Sequence, residues 1–247
     1  MISIITGTLD RGPLLQGLIE NTVEANENLE LVLVDGGSTD GTIKYIKEEN
    51  HPRIKLIEVG ERSRYSHFMN LGIRHASHDI ICQWNDDVLL ANDWEEVFSE
   101  IDEESDFYLF NWKYGDREDI KNPNWLYGHN HIVGGWCMLN NIENPIDYDG
   151  VTPVKGELVM NYGLYKKHIF KKIGMYNHDY LYYGADADLS TRAYRFGYKV
   201  KDLRNIKVCS LNNVPKKAYM MPGEQEVFDK NMELYKQKVL PNNIEFL

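Results

Sequence analysis

The chain is poor in cysteine, in basic charge and in long apolar runs, and each shortage removes a class of protein. Its three cysteines, Cys82, Cys137 and Cys209, are odd in number, far apart and form no CxxC pair. That pattern offers neither a disulfide framework nor a structural zinc site, and it suits a reduced compartment. Acidic residues outnumber basic ones, 38 to 27, giving a formal net charge of -11. A general nucleic-acid binder needs the opposite balance, because phosphate backbones select basic surfaces. No apolar run approaches the length of a membrane span, and the N-terminus enters Ile2, Ile4 and Ile5 without a basic n-region or a cleavage site. The expectation is a soluble, cytoplasmic protein with no transmembrane segment, peripheral docking on a membrane being left open. Repeats and low-complexity tracts are absent too.

What remains is an ordinary globular composition, 43% apolar and 26% charged over 247 residues, enough for one large α/β domain or two small ones. Residues 2–8 read as a buried strand. Leu14, Leu15, Leu18, Ile19 and Val23 then recur at helical spacing, with Pro13 suited to the first turn. The continuous apolar run 31–34 has the pattern of a strand buried on both faces. Asp35, Gly36, Gly37 and the residues to Gly41 turn into a helix carrying Ile43 and Ile46. This β-α-β-α order implies a parallel sheet with right-handed crossovers. Further strands are expected at 54–59, 79–84 and 107–112, with helices at 66–76 and through Trp94, Val97 and Ile101.

From 113 to 153 the periodicity weakens between Gly115, Pro123, Gly128, Pro145 and Gly150, with one strand candidate at 131–139. Segments of this kind in compact domains are functional or mobile. Order returns over 157–165, followed by a short helix that stops at Gly174. Leu189, Ala193 and Phe196 then mark one face of a helix ending at Gly197. Residues 199–203 and 206–209 read as short strands, and 224–239 as a helix.

Chemistry concentrates at Asn85, Asp86 and Asp87, which follow the apolar run Ile80, Ile81, Cys82. Open α/β sheets hold their ligands where such strands end. A polar turn ahead of a helix capped by Asn92 or Asp93 accounts for the same residues. A second acidic pair, Asp186 and Asp188, opens a predicted helix, where the helix dipole favours any carboxylate by about 0.3–1 kcal/mol.

Four separated segments in one order resemble the family 2 glycosyltransferases. They are SIITGTLDR at 3–11, LVLVDGGSTDGT at 31–42, Asn70-Leu71-Gly72 with DIICQWNDDV at 79–88, and GADADL at 184–189 with Arg192 and GYKV at 197–200. The resemblance implies a GT-A fold: a single domain with a Rossmann-like, mostly parallel central sheet flanked by helices. Residues 1–112 would form the nucleotide-binding half, 113–210 the acceptor-binding half and 211–247 a C-terminal extension with its terminal helix. It implies that Thr6, Gly7, Thr8, Asp10, Arg11 and Asp35 face the nucleotide, with Asp35 near the base. Asn85, Asp86 and Asp87 stand at the family's DxD motif, Asn85 and Asp86 toward the ribose and Asp87 toward a divalent metal, Mn²⁺ or Mg²⁺, on the diphosphate. Asp186 falls where the family places the base of an inverting transfer. The implied substrates are a nucleotide-diphosphate sugar as donor and a glycan or glycoconjugate as acceptor.

Chemistry asks for the same parts. Breaking a sugar–diphosphate bond builds negative charge on the leaving phosphate, which a hard cation on carboxylate oxygens offsets. A separate carboxylate deprotonates the attacking hydroxyl. Asp186 and Asp188, two residues apart on a helix, point to different faces, so one is read as the base and the other as a cap or orienting group.

The chain departs from the family pattern in four places. Asn85 replaces the first Asp of the metal motif, Ala185 the acidic residue before the base, and Gly36 a frequent second Asp, and no His follows His178. A catalytically silent nucleotide-sugar or glycan-binding module is the alternative those departures keep open. A sugar nucleotidylyltransferase would need a Gly-rich, basic loop after the first strand, which residues 6–12 do not offer. Trp84, Trp94 and Trp112 read as packing aromatics, and Trp125 and Trp136 as the better acceptor platforms. His129 and His131 receive no role, and Lys166, Lys167, Lys171 and Lys172 read as a solvated helix face.

Overall fold

The computed structural model describes residues 1–122, 135–137, 158–181, 183–211 and 224–239. Trp125, His129 and His131 lie outside the described residues, as does the side chain of Trp136. In chain order the elements are β1 (Ile2–Thr8), α1 (Gly12–Asn21), β2 (Leu29–Asp35), α2 (Thr42–Glu49), β3 (Ile54–Glu58), α3 (Tyr65–His75), β4 (Ile80–Gln83), β5 (Val88–Leu90) and α4 (Trp94–Glu100). There follow β6 (Phe107–Gly115), α5 (Arg117–Ile120), β7 (Gly135–Cys137), β8 (Leu158–Met160), β9 (Gly163–Lys166), α6 (His168–Ile173), α7 (Ala185–Phe196), β10 (Val200–Leu211) and α8 (Glu224–Val239).

Among the described residues these strands form an eight-stranded sheet in the order β3-β2-β1-β4-β9-β6-β10-β5, with β7 and β8 paired beside it. β1, β2, β3 and β4 run parallel, as the alternation of apolar strand and helix predicts. The sheet is mixed because β9 inserts antiparallel between β4 and β6, and β5 closes the far edge antiparallel to β10. β9 comes so close that a Cβ on Gly163 would stand 2.0 Å from the Tyr108 carbonyl oxygen. Glycine is the residue this crossing admits.

Both faces of the sheet are covered, which is why its strands are apolar on successive residues. Ile4, Leu31, Leu33, Cys82 and Phe110 face α1, α2 and α4 through Leu15, Leu18, Ile46, Trp94 and Val97. Ile5, Val32, Ile81, Phe107 and Leu109 face the other way, onto Met69 and Ile73 of α3, Ile169 of α6, Leu189 of α7 and Tyr235 of α8. Gly72 lets α3 press onto β1: a Cβ there would meet Ile5 Cγ2 at 2.3 Å.

Several local readings change. The stretch 157–165 is broken into β8 and β9, and 199–209 is one strand, β10, whose register against β6 shifts between Leu203 and Lys207. Phe196 leaves the buried face of α7 and is exposed, stacking on Tyr198. Lys166 and Lys167 are not a solvated pair, because their ammonium groups donate to the carbonyls of Asp102 and Ala76. Trp84, Trp94 and Trp112 are core residues, as read from sequence. No helix among the described residues is long and apolar enough to cross a membrane.

Candidate active site

β1 pairs with β2 on one side and β4 on the other, so the strand order reverses direction between β1 and β4. The crevice beyond the carboxyl ends of such strands is where open α/β sheets receive ligands. Register delivers the predicted residues there: Thr8 lies opposite Asp35, and the β1–β4 ladder ends at Ile5 and Gln83, just before Asn85, Asp86 and Asp87.

Asp35 is fully buried and organises the loop after β2. Its Oδ2 accepts from the Gly37 N–H at 2.7 Å and the Ser38 N–H at 3.0 Å, and its Oδ1 accepts from the Ser38 hydroxyl. Asp10, exposed at the mouth, binds the same loop from β1's side through Oδ1, which accepts from the Thr39 N–H at 2.7 Å. Phe68 of α3 floors the gap between them, since a Cβ on Gly7 or Gly36 would meet its ring at 3.3 or 3.2 Å. The Thr6 hydroxyl donates to the adjacent Gly7 carbonyl at 3.1 Å.

The Asn85 to Asp87 turn is fixed from three sides. The Trp84 indole donates to the Val88 carbonyl at 2.9 Å, the Leu211 N–H donates to the Asp87 carbonyl at 2.9 Å, and Asn85 Nδ2 donates to the Tyr162 hydroxyl at 3.3 Å. Burial, and next the charge of Asp87, push the Tyr162 phenol upward, so it stays protonated as a donor. Asp86 Oδ2 accepts from the Thr8 hydroxyl at 2.9 Å. Arg11, 1% exposed, reaches both carboxylates: its Nη2 is 3.4 Å from Asp87 Oδ2 and its Nε 3.9 Å from Asp86 Oδ2. Sequence pattern alone gave no sign of that pairing, because Arg11 and Asp87 meet only through the sheet.

Asp186 opens α7 behind Gly184, with its Oδ1 accepting from the Ala187 N–H at 2.9 Å. Burial raises its carboxyl above the ordinary carboxylate range, against these backbone donors. Its charge in turn acts on the buried phenols of Tyr65, Tyr165 and Tyr176, after burial the leading cause of their upward shift at Tyr65 and Tyr165. Tyr176 donates to Gln83 Oε1, which ties the surroundings of Asp186 to the end of β4, two residues before Asn85. Asp188 faces away into the protein and pairs with buried Arg192 at 2.8 Å. Sequence reasoning missed the tyrosines, although Tyr176, Tyr180, Tyr182 and Tyr183 cluster just before Asp186.

No group of three His, Cys, Asp or Glu side chains gathers for a metal among the described residues. The donors present are hard carboxylate oxygens of Asp86 and Asp87, already partnered by Arg11. They fit a hard cation that brings phosphate and water oxygens with it, rather than one held by the protein alone.

This open mixed sheet, with its carboxylate turn at the switch point, is a GT-A fold. The chain belongs to glycosyl transferase family 2, whose family model matches residues 3–174. Asp186 and all of α7 lie beyond that match. An 80-residue stretch is 31% identical to an uncharacterized glycosyltransferase of Haemophilus influenzae, covering 32% of each chain, so the match spans about a third of that relative. Among solved structures, the mannosyltransferase PcManGT of Pyrobaculum calidifontis, in complex with GDP-Man and Mn²⁺, superposes with a TM-score of 0.58 at 22% identity over 88% of this chain and 58% of its own. S. aureus TarS 1-349 gives 0.65 at 16% identity over 99% of this chain and 66% of its own. The same protein in complex with UDP-GlcNAc gives 0.63 at 17% identity.

Proposed function

We propose that the protein moves a sugar from a nucleotide-diphosphate donor to a hydroxyl of a glycan or glycoconjugate acceptor, with inversion at the anomeric carbon. The observation that carries this reading is the raised carboxyl of Asp186 at a helix N-terminus, whose charge acts on Tyr176, the donor to Gln83 at the end of β4 ahead of Asn85, Asp86 and Asp87. A carboxyl held above its ordinary range is a stronger base, suited to take the acceptor's proton as the hydroxyl attacks.

Asp35, Asp10 and the 36–41 loop hold the nucleoside end, and Phe68 forms the floor below it. Asn85 and Asp86 meet the ribose, and Asp87 would hold Mn²⁺ or Mg²⁺. Such a cation, when bound, offsets charge on the departing diphosphate. Arg11 contributes a second, permanent positive charge at the same end. Residues 1–112 serve the donor and 113–210 the acceptor.

The reading is tested by incubating the protein with Mn²⁺ and a panel of nucleotide sugars headed by UDP-GlcNAc and GDP-Man, following donor hydrolysis and transfer. Turnover with one donor class is expected, lost in Asp87→Ala and Asp186→Asn. A wild-type protein whose melting temperature responds to no donor would sink the transferase reading, whereas donor binding without turnover on any acceptor would leave the silent binding module.

A further inference from the structure

Resting on that reading of the site, we propose that Arg11 acts as an internal counter-ion that keeps a divalent cation off Asp87 until a diphosphate arrives, so that metal and donor enter as a unit. The guanidinium is buried and within ion-pair reach of both carboxylates of the turn. It brings a full positive charge and only donor groups to the two carboxylates. Side-chain exposures of 2% for Arg11, 6% for Asp86 and 11% for Asp87 leave little water to screen it.

A divalent cation approaching Asp87 alone therefore meets a like charge and must compete for an oxygen already partnered. Asn85 withholds the additional carboxylate that would tilt that competition toward the metal. A diphosphate changes the balance twice. Its oxygens supply ligands and negative charge to the cation, and they offer the Arg11 fork a bidentate partner of matching geometry in place of the carboxylates. Linkage makes the effect reciprocal: whatever the diphosphate adds to metal affinity, the metal adds to diphosphate affinity.

The test is calorimetric titration of Mn²⁺ alone into wild type and Arg11→Gln, followed by UDP, GDP, CDP and dTDP into each protein in saturating Mn²⁺. Arg11→Gln should bind Mn²⁺ alone at least about tenfold more tightly than wild type, and the preferred nucleotide at least about tenfold more weakly, each a difference near 1.4 kcal/mol. Mn²⁺ should also raise the melting temperature of Arg11→Gln by more than that of wild type. Adding Asp87→Asn should abolish the gain in metal affinity. Arg11→Met, which keeps an apolar stem and removes the charge, covers the case in which Arg11→Gln does not fold, and its Mn²⁺ affinity should exceed that of wild type. Mn²⁺ binding no tighter in the variants, with nucleotide still bound by wild type, overturns this inference alone. Failure of every nucleotide to bind wild type in Mn²⁺ overturns the donor site and this inference together.

Discussion

Asn70 and Tyr176 exchange two hydrogen bonds: Asn70 Nδ2 donates to the Tyr176 carbonyl at 2.8 Å, and the Tyr176 N–H donates to Asn70 Oδ1 at 2.9 Å. Asn70 belongs to α3, whose Phe68 lies against Gly7 and Gly36, and Tyr176 begins the segment that leads to Asp186. Arg64, just before α3, and Tyr65, its first residue, donate to the carbonyls of His178 and Leu181 in that segment. From the other side α8 holds it: Asn231 Oδ1 accepts from the Leu181 N–H at 3.0 Å, and Lys238 pairs with Asp179. The approach to Asp186 is thus suspended between α3 and the C-terminal helix.

Removing the Asn70 side chain leaves a buried donor and a buried acceptor of Tyr176 without partners. Asn70→Ala should cost about 2–3 kcal/mol of stability, read by urea unfolding. On the proposed reading the transfer rate should fall more than donor affinity does, because the lost contacts hold the approach to Asp186 and not the loops after β1 and β2.

Glu30 predicts how the fold responds to acid. Burial works to raise its carboxyl, but Lys55 Nζ at 2.7 Å, with the Ser3 and Ser77 hydroxyls and the Ser77 N–H, outweighs burial and lowers it from 4.5 to about 2. A lowered carboxyl contributes stability that is present above its unfolded value and lost as pH falls through the folded one. Its share is about 3 kcal/mol by linkage. Wild type should therefore lose stability between about pH 4.5 and pH 2, and Glu30→Gln should be less stable at pH 7 and flatter over that window. Equal slopes in urea titrations of the two proteins would contradict this.

The parts that were legible in the sequence are those set by neighbours along the chain. Apolar runs ending in Asp35 and in Asn85 marked β2 and β4, and Gly184 and Gly197 bracketed α7. What stayed hidden depends on pairing across the fold. β9 reverses direction because it fills a slot between β4 and β6, and no local period encodes that. β10 continues through the register shift that made it look like two strands. Arg11 lies in a segment matched to the family, yet its carboxylate partners are reached only across the β1–β4 ladder. Lys166 and Lys167 looked solvated for the same reason: their carbonyl partners come from distant loops.

Asp188 and Arg192 form a buried pair that Arg192 completes by donating to the carbonyls of Ile173 and Met175. Burial raises the Asp188 carboxyl, with Arg192 opposing. Deleting the carboxylate leaves a guanidinium buried without its counter-charge, so Asp188→Ala should lose about 3–5 kcal/mol. Thermal unfolding checks the value. A variant as stable as wild type would mean that this pair does not anchor α7.

Two residues earlier on the same helix, Asp186 should behave in the opposite way. Because burial raises its carboxyl, the folded protein holds that proton more firmly than the unfolded chain does. The resulting contribution to stability is fully present below the unfolded value and is lost as pH rises through the folded one. At neutral pH the ionised group is thus a net burden on the fold. Asp186→Asn keeps an oxygen for the Ala187 N–H and removes the charge, so it should melt higher than wild type at pH 8, with the gain shrinking toward pH 4. The same substitution should lower the transfer rate by about 10²–10⁴-fold, the range for loss of a positioned base. In wild type the rate should fall as pH drops through the raised value, placing the acidic limb of the profile above the ordinary carboxylate range. An Asn variant that gains stability yet keeps the wild-type transfer rate would remove Asp186 from the reaction while leaving its buried charge explained.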